Sequence, residues 1–216
     1  MTRIKICGVR SVADARLADR CGADAVGVLV GQKHTSNDFV TPETAEEICL
    51  AVGPFLTPVL VTHLEDEEQI LALAKRIPCT AVQLHSDLAP ATLRRLRELL
   101  WPRKIIGKVS VENESAIDRA IALAGSVDAI VLDSIDRSTS RVGGTGRVHD
   151  WSISARIAAA SRVPIILAGG LTPANVALAI AKVNPWAVDV NSGVSHPEGG
   201  KNEALVRAFI EAARGR

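Results

Sequence analysis

The chain has 216 residues, of which 47% are hydrophobic and 23% are charged, and its formal net charge is +1. These values are typical of a folded globular protein and exclude a disordered or fibrous chain. Because 25 basic side chains offset 24 acidic ones, no field of one sign would draw the chain to nucleic acid or to an anionic membrane. Aromatic residues make up 3% of the chain, too few for the stacking platforms of single-stranded nucleic-acid binders.

The sequence shows no sign of export or of membrane insertion. No apolar run approaches the roughly 20 residues that cross a bilayer, and the segment Met1–Gly8 lacks the apolar stretch of a signal peptide. The cysteines are Cys7, Cys21, Cys49 and Cys79, and they form no CxxC pair. We therefore expect a cytoplasmic protein whose thiols are reduced rather than joined in disulfides.

Short β-branched runs alternate with longer helical patterns along the whole chain. The predicted strands are Ile4–Cys7, Ala25–Val30, Thr57–Val61, Ala81–Leu84, Lys104–Val109, Ala129–Leu132, Ile165–Ala168 and Ala187–Val190. Each strand is followed by a segment in which apolar residues recur with the period of a helix. The predicted helices are Val12–Cys21, Pro42–Ala51, Glu67–Ile77, Pro90–Leu100, Ala116–Ala124, Trp151–Ala160, Pro173–Val183 and Glu203–Arg214.

Several of these helices begin with a recognisable signal. Thr41 and Thr172 each precede a proline, so a capping hydroxyl stands before a residue suited to the first helical position. Asp150 is placed to cap the helix that begins at Trp151. The signal at Thr172 predicts a helix that starts at Pro173.

Strands that alternate with helices predict βαβ units and a parallel sheet. Eight such units fill the 216 residues without a break that could serve as a linker between domains. An open, doubly wound sheet would also satisfy the pattern, but eight evenly spaced units fit a closed barrel better, and closure removes both sheet edges. We predict an α/β protein with one domain over residues 1–216, a (β/α)8 or TIM barrel.

In such a barrel the active site lies on the loops that follow the carboxyl ends of the strands. Residues able to do chemistry or to bind anions gather at these positions in the sequence. They are Cys7, His34, His63, Gln83, His85, Asp133, the segment Gly143–Gly146, Gly169, Gly170, Asn191, Ser192 and Gly193.

The glycines after the seventh and eighth strands predict a phosphate site. Gly169 and Gly170 end one strand, and Ser192 and Gly193 follow the next. A backbone without Cβ atoms lets its N–H groups approach an anion closely, and these two loops are the usual phosphate position of the barrel. Tight turns would explain either pair alone, but two pairs at adjacent strand ends favour a phosphorylated ligand.

Neither a cofactor nor a metal is predicted. The segment Gly143–Gly146 is not followed by the Lys-Ser/Thr of a Walker motif and lacks the GxGxxG spacing of a dinucleotide site. His34, His63 and His85 follow neighbouring strands and could converge on a metal. However, HxH and HExxH spacings are absent, and lone histidines are common on loops.

Cys7 and Asp133 end the first and sixth strands, so both are expected to face the open end of the barrel. A thiol and a carboxyl on opposite sides of a sugar can share the work of general base and general acid. The alternative is a buried core cysteine and a carboxylate that only binds neighbouring backbone N–H groups.

Seven motifs occur along nearly the whole chain, and in this order and spacing they resemble the phosphoribosylanthranilate isomerase family, the (β/α)8 enzymes of tryptophan biosynthesis. The motifs are Lys5–Gly8, Gly22–Gly27, Gln83–His85, Val131–Asp133, Gly143–Gly146 with Asp150-Trp151, Leu167–Leu171 with Asn175-Val176, and Val188–Val194.

The resemblance implies an Amadori rearrangement of N-(5′-phosphoribosyl)anthranilate that needs neither a metal nor an organic cofactor. Asp133 would be the acid that protonates the ribose ring oxygen, and Cys7, as a thiolate, would be the base that removes the C2′ proton. The residues implied to bind the substrate and its phosphate are Gln83, His85, Gly144, Gly146, Gly169, Gly170, Asp189, Asn191, Ser192 and Gly193.

The chain departs from the family where an arginine of a Ser-Pro-Arg stretch meets the anthranilate carboxylate. The corresponding segment Thr35–Val40 has no arginine and contains Asp38, which would repel a carboxylate. Lys33, His34 or Arg141 could take the place of the arginine.

Three functions therefore stay open on the sequence. The first is the anthranilate isomerase itself, and the second is a paralogous isomerase of another phosphorylated sugar or aminosugar, with the region of His34 and His63 facing the aglycone. The third is a non-catalytic barrel that binds a phosphosugar. All three imply a small phosphorylated sugar as ligand, no nucleic acid and no membrane, and the sequence does not indicate an oligomeric partner.

Overall fold

The computed structural model describes residues 1–31, 36–136, 141–142 and 148–215. Within these ranges, eight parallel strands close into a barrel in which each strand pairs with the next along the chain and the last pairs with the first. The strands are β1 (Arg3–Ile6), β2 (Ala25–Leu29), β3 (Thr57–Thr62), β4 (Ala81–Leu84), β5 (Lys104–Ser110), β6 (Ala129–Asp133), β7 (Ile165–Leu167) and β8 (Ala187–Val190). Closure confirms the predicted barrel and excludes the open doubly wound sheet.

The helices of the described ranges are α1 (Val12–Cys21), α2 (Pro42–Ala51), α3 (Glu67–Arg76), α4 (Pro90–Leu99), α5 (Ser115–Ala124), α6 (Trp151–Ala160), α7 (Val176–Val183) and α8 (Glu203–Ala213). A 3₁₀ helix at Ser192–Val194 and an antiparallel hairpin of Ile135–Asp136 with Arg141–Val142 complete the elements. Thr41 and Asp150 cap α2 and α6 as predicted. In the described part of the chain, no helix is long and apolar enough to span a membrane.

The segment after Thr172 differs from the prediction. Helix α7 begins at Val176 rather than at Pro173, and Asn175 takes the N-cap position. The Asn175 side chain accepts a hydrogen bond from the Thr172 N–H at 2.8 Å and donates one to the Gly170 carbonyl oxygen at 3.0 Å. These residues thus form a turn that holds the glycine loop, because the Asn175 amide satisfies backbone groups that a first helical turn would leave unpaired.

Successive side chains of each strand point alternately toward the helices and into the barrel. Outward positions, such as Ile4 and Ile6 of β1, belong to a large apolar core that is shared with the helices. Inward positions, such as Val59 and Ile106, form a second apolar cluster among whose described members none is helical. This second cluster fills the barrel interior and supports the polar residues that face its carboxyl end.

A buried ion pair lies inside the barrel between β1 and β8. Lys5 and Asp189 are register partners on these strands, and Lys5 Nζ lies 2.8 Å from Asp189 Oδ2. Burial lowers the pKa of Lys5, but the charges of Asp189 and Cys7 outweigh it, so that the pKa of Lys5 lies above its usual value. The ammonium group therefore keeps its charge inside the barrel, where a charge without a partner would be strongly destabilising.

Gly27 of β2 has no side chain, and the space beside it is occupied by the inward side chains of Cys7 and Lys5. A Cβ atom on Gly27 would lie 2.7 Å from Cys7 Sγ and 3.0 Å from Lys5 Nζ. Real Cβ contacts do not reach 2.7 Å, so a larger residue would have to displace the Cys7 thiol.

Gly27→Ala is expected to lower the free energy of unfolding by about 1–3 kcal/mol, because the added methyl group overpacks the barrel interior. Chemical denaturation followed by circular dichroism measures the change. Gly125→Ala is the matched control, since a Cβ atom there meets nothing within 4 Å. A Gly27→Ala protein as stable as the wild type would contradict the close packing around Cys7.

Candidate active site

A cavity of about 660 Å³ opens at the carboxyl ends of the barrel strands. The described residues that line it come from the ends of β1, β2, β3, β4, β6, β7 and β8 and from the loops that follow them. This is the position at which the barrel fold holds active sites. The polar side chains of the lining are Cys7, Ser36, Asn37, Asp38, His63, Gln83, His85, Asp133, Asp189, Asn191, Ser192, Ser195 and His196.

The cavity brings together every predicted site residue that the structure describes. These residues are Cys7, Gln83, His85, Asp133, Gly169, Gly170, Asp189, Asn191, Ser192 and Gly193. Gly144 and Gly146, together with Lys33 and His34, lie outside the described residues, and nothing is described of the Arg141 side chain.

Cys7 directly follows β1, and its backbone N–H donates a hydrogen bond to the Val190 carbonyl oxygen at 2.8 Å. Burial raises the pKa of the Cys7 thiol, and Asp189 raises it further, whereas the ammonium groups of Lys5 and Lys201 oppose this change. The net pKa of the Cys7 thiol lies above its usual value. The physical reason is that the loss of hydration outweighs the nearby positive charge.

Lys5 and Lys201 both oppose the rise in the pKa of Cys7, and the sequence analysis gave neither of them a role. A signal was present for Lys5, because residues two apart on a strand point the same way and Lys5 stands two before Cys7. Lys201 lies in an irregular segment after Gly193, where no strand or helix pattern indicates which way a side chain points. Its position near the site is therefore set by the tertiary structure.

Asp133 is the last residue of β6 and is buried. Its Oδ1 atom accepts a hydrogen bond from the Ser134 N–H at 2.8 Å, and its Oδ2 atom lies 3.4 Å from His85 Nε2. Burial favours the neutral carboxyl, but the hydrogen bonds and the charge of His85 outweigh it, with further help from His149. The pKa of Asp133 therefore lies below its usual value, and the carboxylate is the resting form.

Three rings extend from the carboxylate along one wall of the cavity. The rings of His85 and His63 are 4.9 Å apart, and the Phe39 ring lies 5.3 Å from that of His63 at a steep angle. His63 and His85, two of the three histidines that the sequence analysis considered as metal ligands, thus come together, while His34 lies outside the described residues. Within the described residues, no group of three or more His, Cys, Asp or Glu side chains could hold a metal ion. The expectation of a reaction without a cofactor stays a prediction.

The glycine loops line another part of the cavity, and Gly169 lies beside Asp133. Gly169 and Gly170 have φ values of +83° and +68°, a left-handed conformation that favours glycine. A Cβ atom on Gly169 would lie 2.7 Å from the Ser134 nitrogen, and one on Gly193 would overlap the Leu171 carbonyl oxygen. Side chains are therefore excluded here, and the backbone itself borders the cavity.

Asp38 belongs to a hydrogen-bonded chain that joins the loop after β2 to the loop after β8. The Asn191 amide donates to Asp38 Oδ2 at 3.0 Å, and Lys201 Nζ donates to Asn191 Oδ1 and to Ser195 Oγ, each at 2.8 Å. Burial lowers the pKa of Lys201, and Asp38 is among the acids that oppose this. Since Asp38 has an amide donor and a cation nearby, its repulsion of a ligand carboxylate is weaker than the sequence suggests.

Comparison with known families and structures agrees with this geometry. The sequence model of the family described as N-(5′-phosphoribosyl)anthranilate (PRA) isomerase matches residues 4–212. The N-(5′-phosphoribosyl)anthranilate isomerase 2 of Methanosarcina mazei is 44% identical over 98% of this chain and 94% of its own length. The N-(5′-phosphoribosyl)anthranilate isomerase of Haloferax volcanii is 41% identical over 99% of this chain and 94% of its own.

Solved structures show the same relation. Phosphoribosyl anthranilate isomerase from Thermotoga maritima superposes with a TM-score of 0.88 at 34% identity, over the full length of both chains. A phosphoribosyl anthranilate isomerase in complex with reduced 1-(o-carboxyphenylamino)-1-deoxyribulose 5-phosphate superposes with a TM-score of 0.85 at 34% identity, again over both full chains. With a family match across nearly all of its length, the chain belongs to the N-(5′-phosphoribosyl)anthranilate isomerase family.

Proposed function

We propose that the protein converts N-(5′-phosphoribosyl)anthranilate to 1-(2-carboxyphenylamino)-1-deoxyribulose 5-phosphate, the Amadori rearrangement of tryptophan biosynthesis. One observation carries the proposal: a thiol from β1 and a carboxyl from β6 line a single cavity that also contains two glycine loops. Family membership and the solved complex with a reduced form of this product support the choice of substrate.

The glycine loops hold the phosphate end of the substrate. Backbone N–H groups of Gly169, Gly170, Ser192 and Gly193 bind the phosphate oxygens in this proposal, because the glycines place no side chain between the backbone and the cavity. Asn175 keeps the first of these loops in place through its two backbone hydrogen bonds. Binding at this end fixes the pentose between the two reactive side chains.

Asp133 supplies the acid step. It delivers a proton to the ribose ring oxygen while the bond from this oxygen to C1′ breaks, and the anthranilate nitrogen then forms a Schiff base with C1′. Asp133 needs a proton for this step, although its pKa lies below the usual value in the free protein. A proton held close to the carboxylate is therefore required.

Cys7 supplies the base step. Although its pKa lies above the usual value in the free protein, Cys7 acts as the thiolate that removes the proton from C2′, and the resulting enolamine becomes the ketone. Lys5 is the nearest cation on the same strand and opposes the effect of burial on the thiol, so it acts as a positioning residue for the thiolate. Gly27 keeps both side chains in place by leaving room for them.

The aromatic aglycone is assigned to the wall of Phe39 and His63, which lies beyond His85 from the carboxylate. Flat rings at this wall offer an apolar surface to the anthranilate ring. A paralogous isomerase would use the same two reactive groups on another aglycone, and a non-catalytic barrel would bind without turnover. The cytoplasmic location and the absence of a nucleic-acid partner stay predictions.

Expression of the wild-type protein is expected to restore growth without tryptophan in a bacterial strain that lacks this isomerase. Cys7→Ala and Asp133→Asn should fail to do so, since each removes a proton-transfer group worth about 10²- to 10⁴-fold in rate. Growth of the strain and kcat/KM of the purified proteins are the measurements.

The controls are Cys21→Ser and Asp118→Asn, which change a half-buried thiol on α1 and an exposed carboxylate on α5 and should support growth like the wild type. A soluble wild-type protein that does not restore growth would overturn the anthranilate substrate. Turnover of any other phosphosugar that survives both site substitutions would overturn the assignment of Cys7 and Asp133.

Lys5→Met is expected to move the alkylation of Cys7 by iodoacetamide to higher pH, because the ammonium that opposes the burial effect on the pKa of Cys7 is lost. Mass spectrometry of the Cys7 peptide across a pH series measures this. Lys104→Met removes an exposed lysine of β5 and is the control. If both folded variants alkylate like the wild type, Lys5 does not tune the thiol.

A further inference from the structure

The acid step presents a physical difficulty that the geometry around Asp133 resolves. An acid must carry a proton before the reaction begins, whereas Asp133 rests as a carboxylate. Its Oδ1 atom already accepts the Ser134 N–H. The proton must therefore be held by a group that contacts the other oxygen, Oδ2.

His85 is that group. Its Nε2 atom lies 3.4 Å from Asp133 Oδ2, and both side chains are more than nine-tenths buried. A small decrease in this distance gives a short hydrogen bond between the two atoms, as occurs when catalytic contacts tighten around a substrate. His85 and Asp133 together can hold one proton, on the imidazole or on the carboxyl.

Gln83 contacts the other ring nitrogen. Its Nε2 atom lies 3.2 Å from His85 Nδ1, so in this orientation the amide donates and the ring nitrogen accepts. The Gln83 Oε1 atom is buried and has no hydrogen-bond partner among the described residues. An unsatisfied buried oxygen on an amide that contacts a histidine requires an explanation.

A half-turn of the amide would give the unsatisfied oxygen a partner and would move the amide nitrogen to the position that Oε1 now occupies. After the turn, Oε1 faces His85 Nδ1 and accepts a proton from it, which is the contact that a charged imidazolium needs. Gln83 can thus accompany both charge states of the ring: it donates to the neutral form and accepts from the charged form.

We propose that His85 holds the proton that Asp133 delivers to the ribose ring oxygen, and that Gln83 is a positioning residue whose amide turns with the charge of His85. This inference rests on the isomerase function proposed above. The imidazolium gives its Nε2 proton to Asp133 Oδ2, and the carboxyl passes a proton to the ring oxygen. The electron pair of the breaking bond to C1′ stays on that oxygen.

The cycle needs no outside proton source. After Cys7 takes the C2′ proton, the enolamine receives a proton from the Cys7 thiol at C1′ and loses its O2′ hydroxyl proton to the pair of His85 and Asp133. The ketone leaves, and both the thiolate and the imidazolium are restored.

Three other ionisable groups, His63, His149 and Lys108, lie near the pair of His85 and Asp133. The His63 ring lies beside His85 from the β3 side, and His149 acts on Asp133 from the segment before α6. On β5, Lys108 follows the residue paired with Leu84, and its Nζ atom lies 3.3 Å from an Asp87 carboxylate oxygen. The positive charge of Lys108 is therefore offset within its own pair.

The pH dependence of kcat tests the proposal, with the full-length wild type beside His85→Gln and Gln83→Glu. His85→Gln keeps an N–H donor for Asp133 but cannot store a proton. We expect kcat to fall about tenfold or more and the alkaline limb of the profile to move to lower pH. Gln83→Glu places a carboxylate against His85 Nδ1, stabilises the imidazolium and should move the alkaline limb to higher pH.

Gln69→Glu is the control, because it makes the same change of charge at an exposed position of α3 and should leave the alkaline limb in place. Opposite movement of the limb in the two test variants supports the relay, meaning the transfer of a proton from His85 through Asp133 to the ring oxygen. A purely structural role would not move the alkaline limb in two directions. Movement in the same direction, or no movement, overturns the relay.

A second measurement separates this inference from the proposed function. Proton NMR of the His85 ring without substrate should show titration at higher pH in Gln83→Glu than in the wild type, whether or not the protein turns over anthranilate. Unchanged titration of His85 in a folded Gln83→Glu protein overturns the relay. If that result is found and the wild type still turns over N-(5′-phosphoribosyl)anthranilate, the relay is wrong but the proposed isomerase function stands.

Discussion

Side-chain alternation along parallel strands that close on themselves is the constraint on which the site depends. Lys5 and Cys7 stand two residues apart on one strand and therefore point the same way, into the barrel. Register places Asp189 opposite Lys5, although 184 residues separate them along the chain. A slip of one residue in β1 would turn Lys5 and Cys7 toward the helices and abolish the site.

Enclosure of the reactive groups has opposite consequences on the two sides of the cavity. Burial alone would keep both the thiol and the carboxyl neutral. On the β1 side Lys5 counteracts burial without overcoming it, so the pKa of Cys7 stays high. On the β6 side His85 overcomes burial, so the pKa of Asp133 is low. Basic neighbours thus oppose the effect of burial on the pKa of both reactive groups, with opposite outcomes.

The aglycone side shows how a local sequence departure can be absorbed by the fold. Considered alone, Asp38 is unfavourable, because it adds a negative charge where the carboxylate of the ligand is to bind. In the folded chain Asp38 accepts a hydrogen bond from the Asn191 amide, and the Asn191 side-chain oxygen accepts one from Lys201 Nζ. The acid therefore helps to join two loops of the cavity, which is a structural role.

The sequence by itself determined the architecture and the positions of the reactive residues. The period of two in the strands and of 3.6 in the helices predicted the barrel, and strand ends located Cys7, Asp133 and the glycine loops. These features are local, since they depend on neighbours along the chain. An error arose at Pro173, where the Asn175 side chain overrides the proline signal by bonding to the backbone.

Only the tertiary structure decided which groups act on one another. The pairing of Lys5 with Asp189, the contact of Asp133 with His85 and the approach of Lys201 to the loop after β8 all join residues distant in sequence. The pKa of a buried group depends on distance and burial in three dimensions, and a linear pattern contains neither. The barrel could therefore be predicted from the sequence, while the proton affinities within it could not.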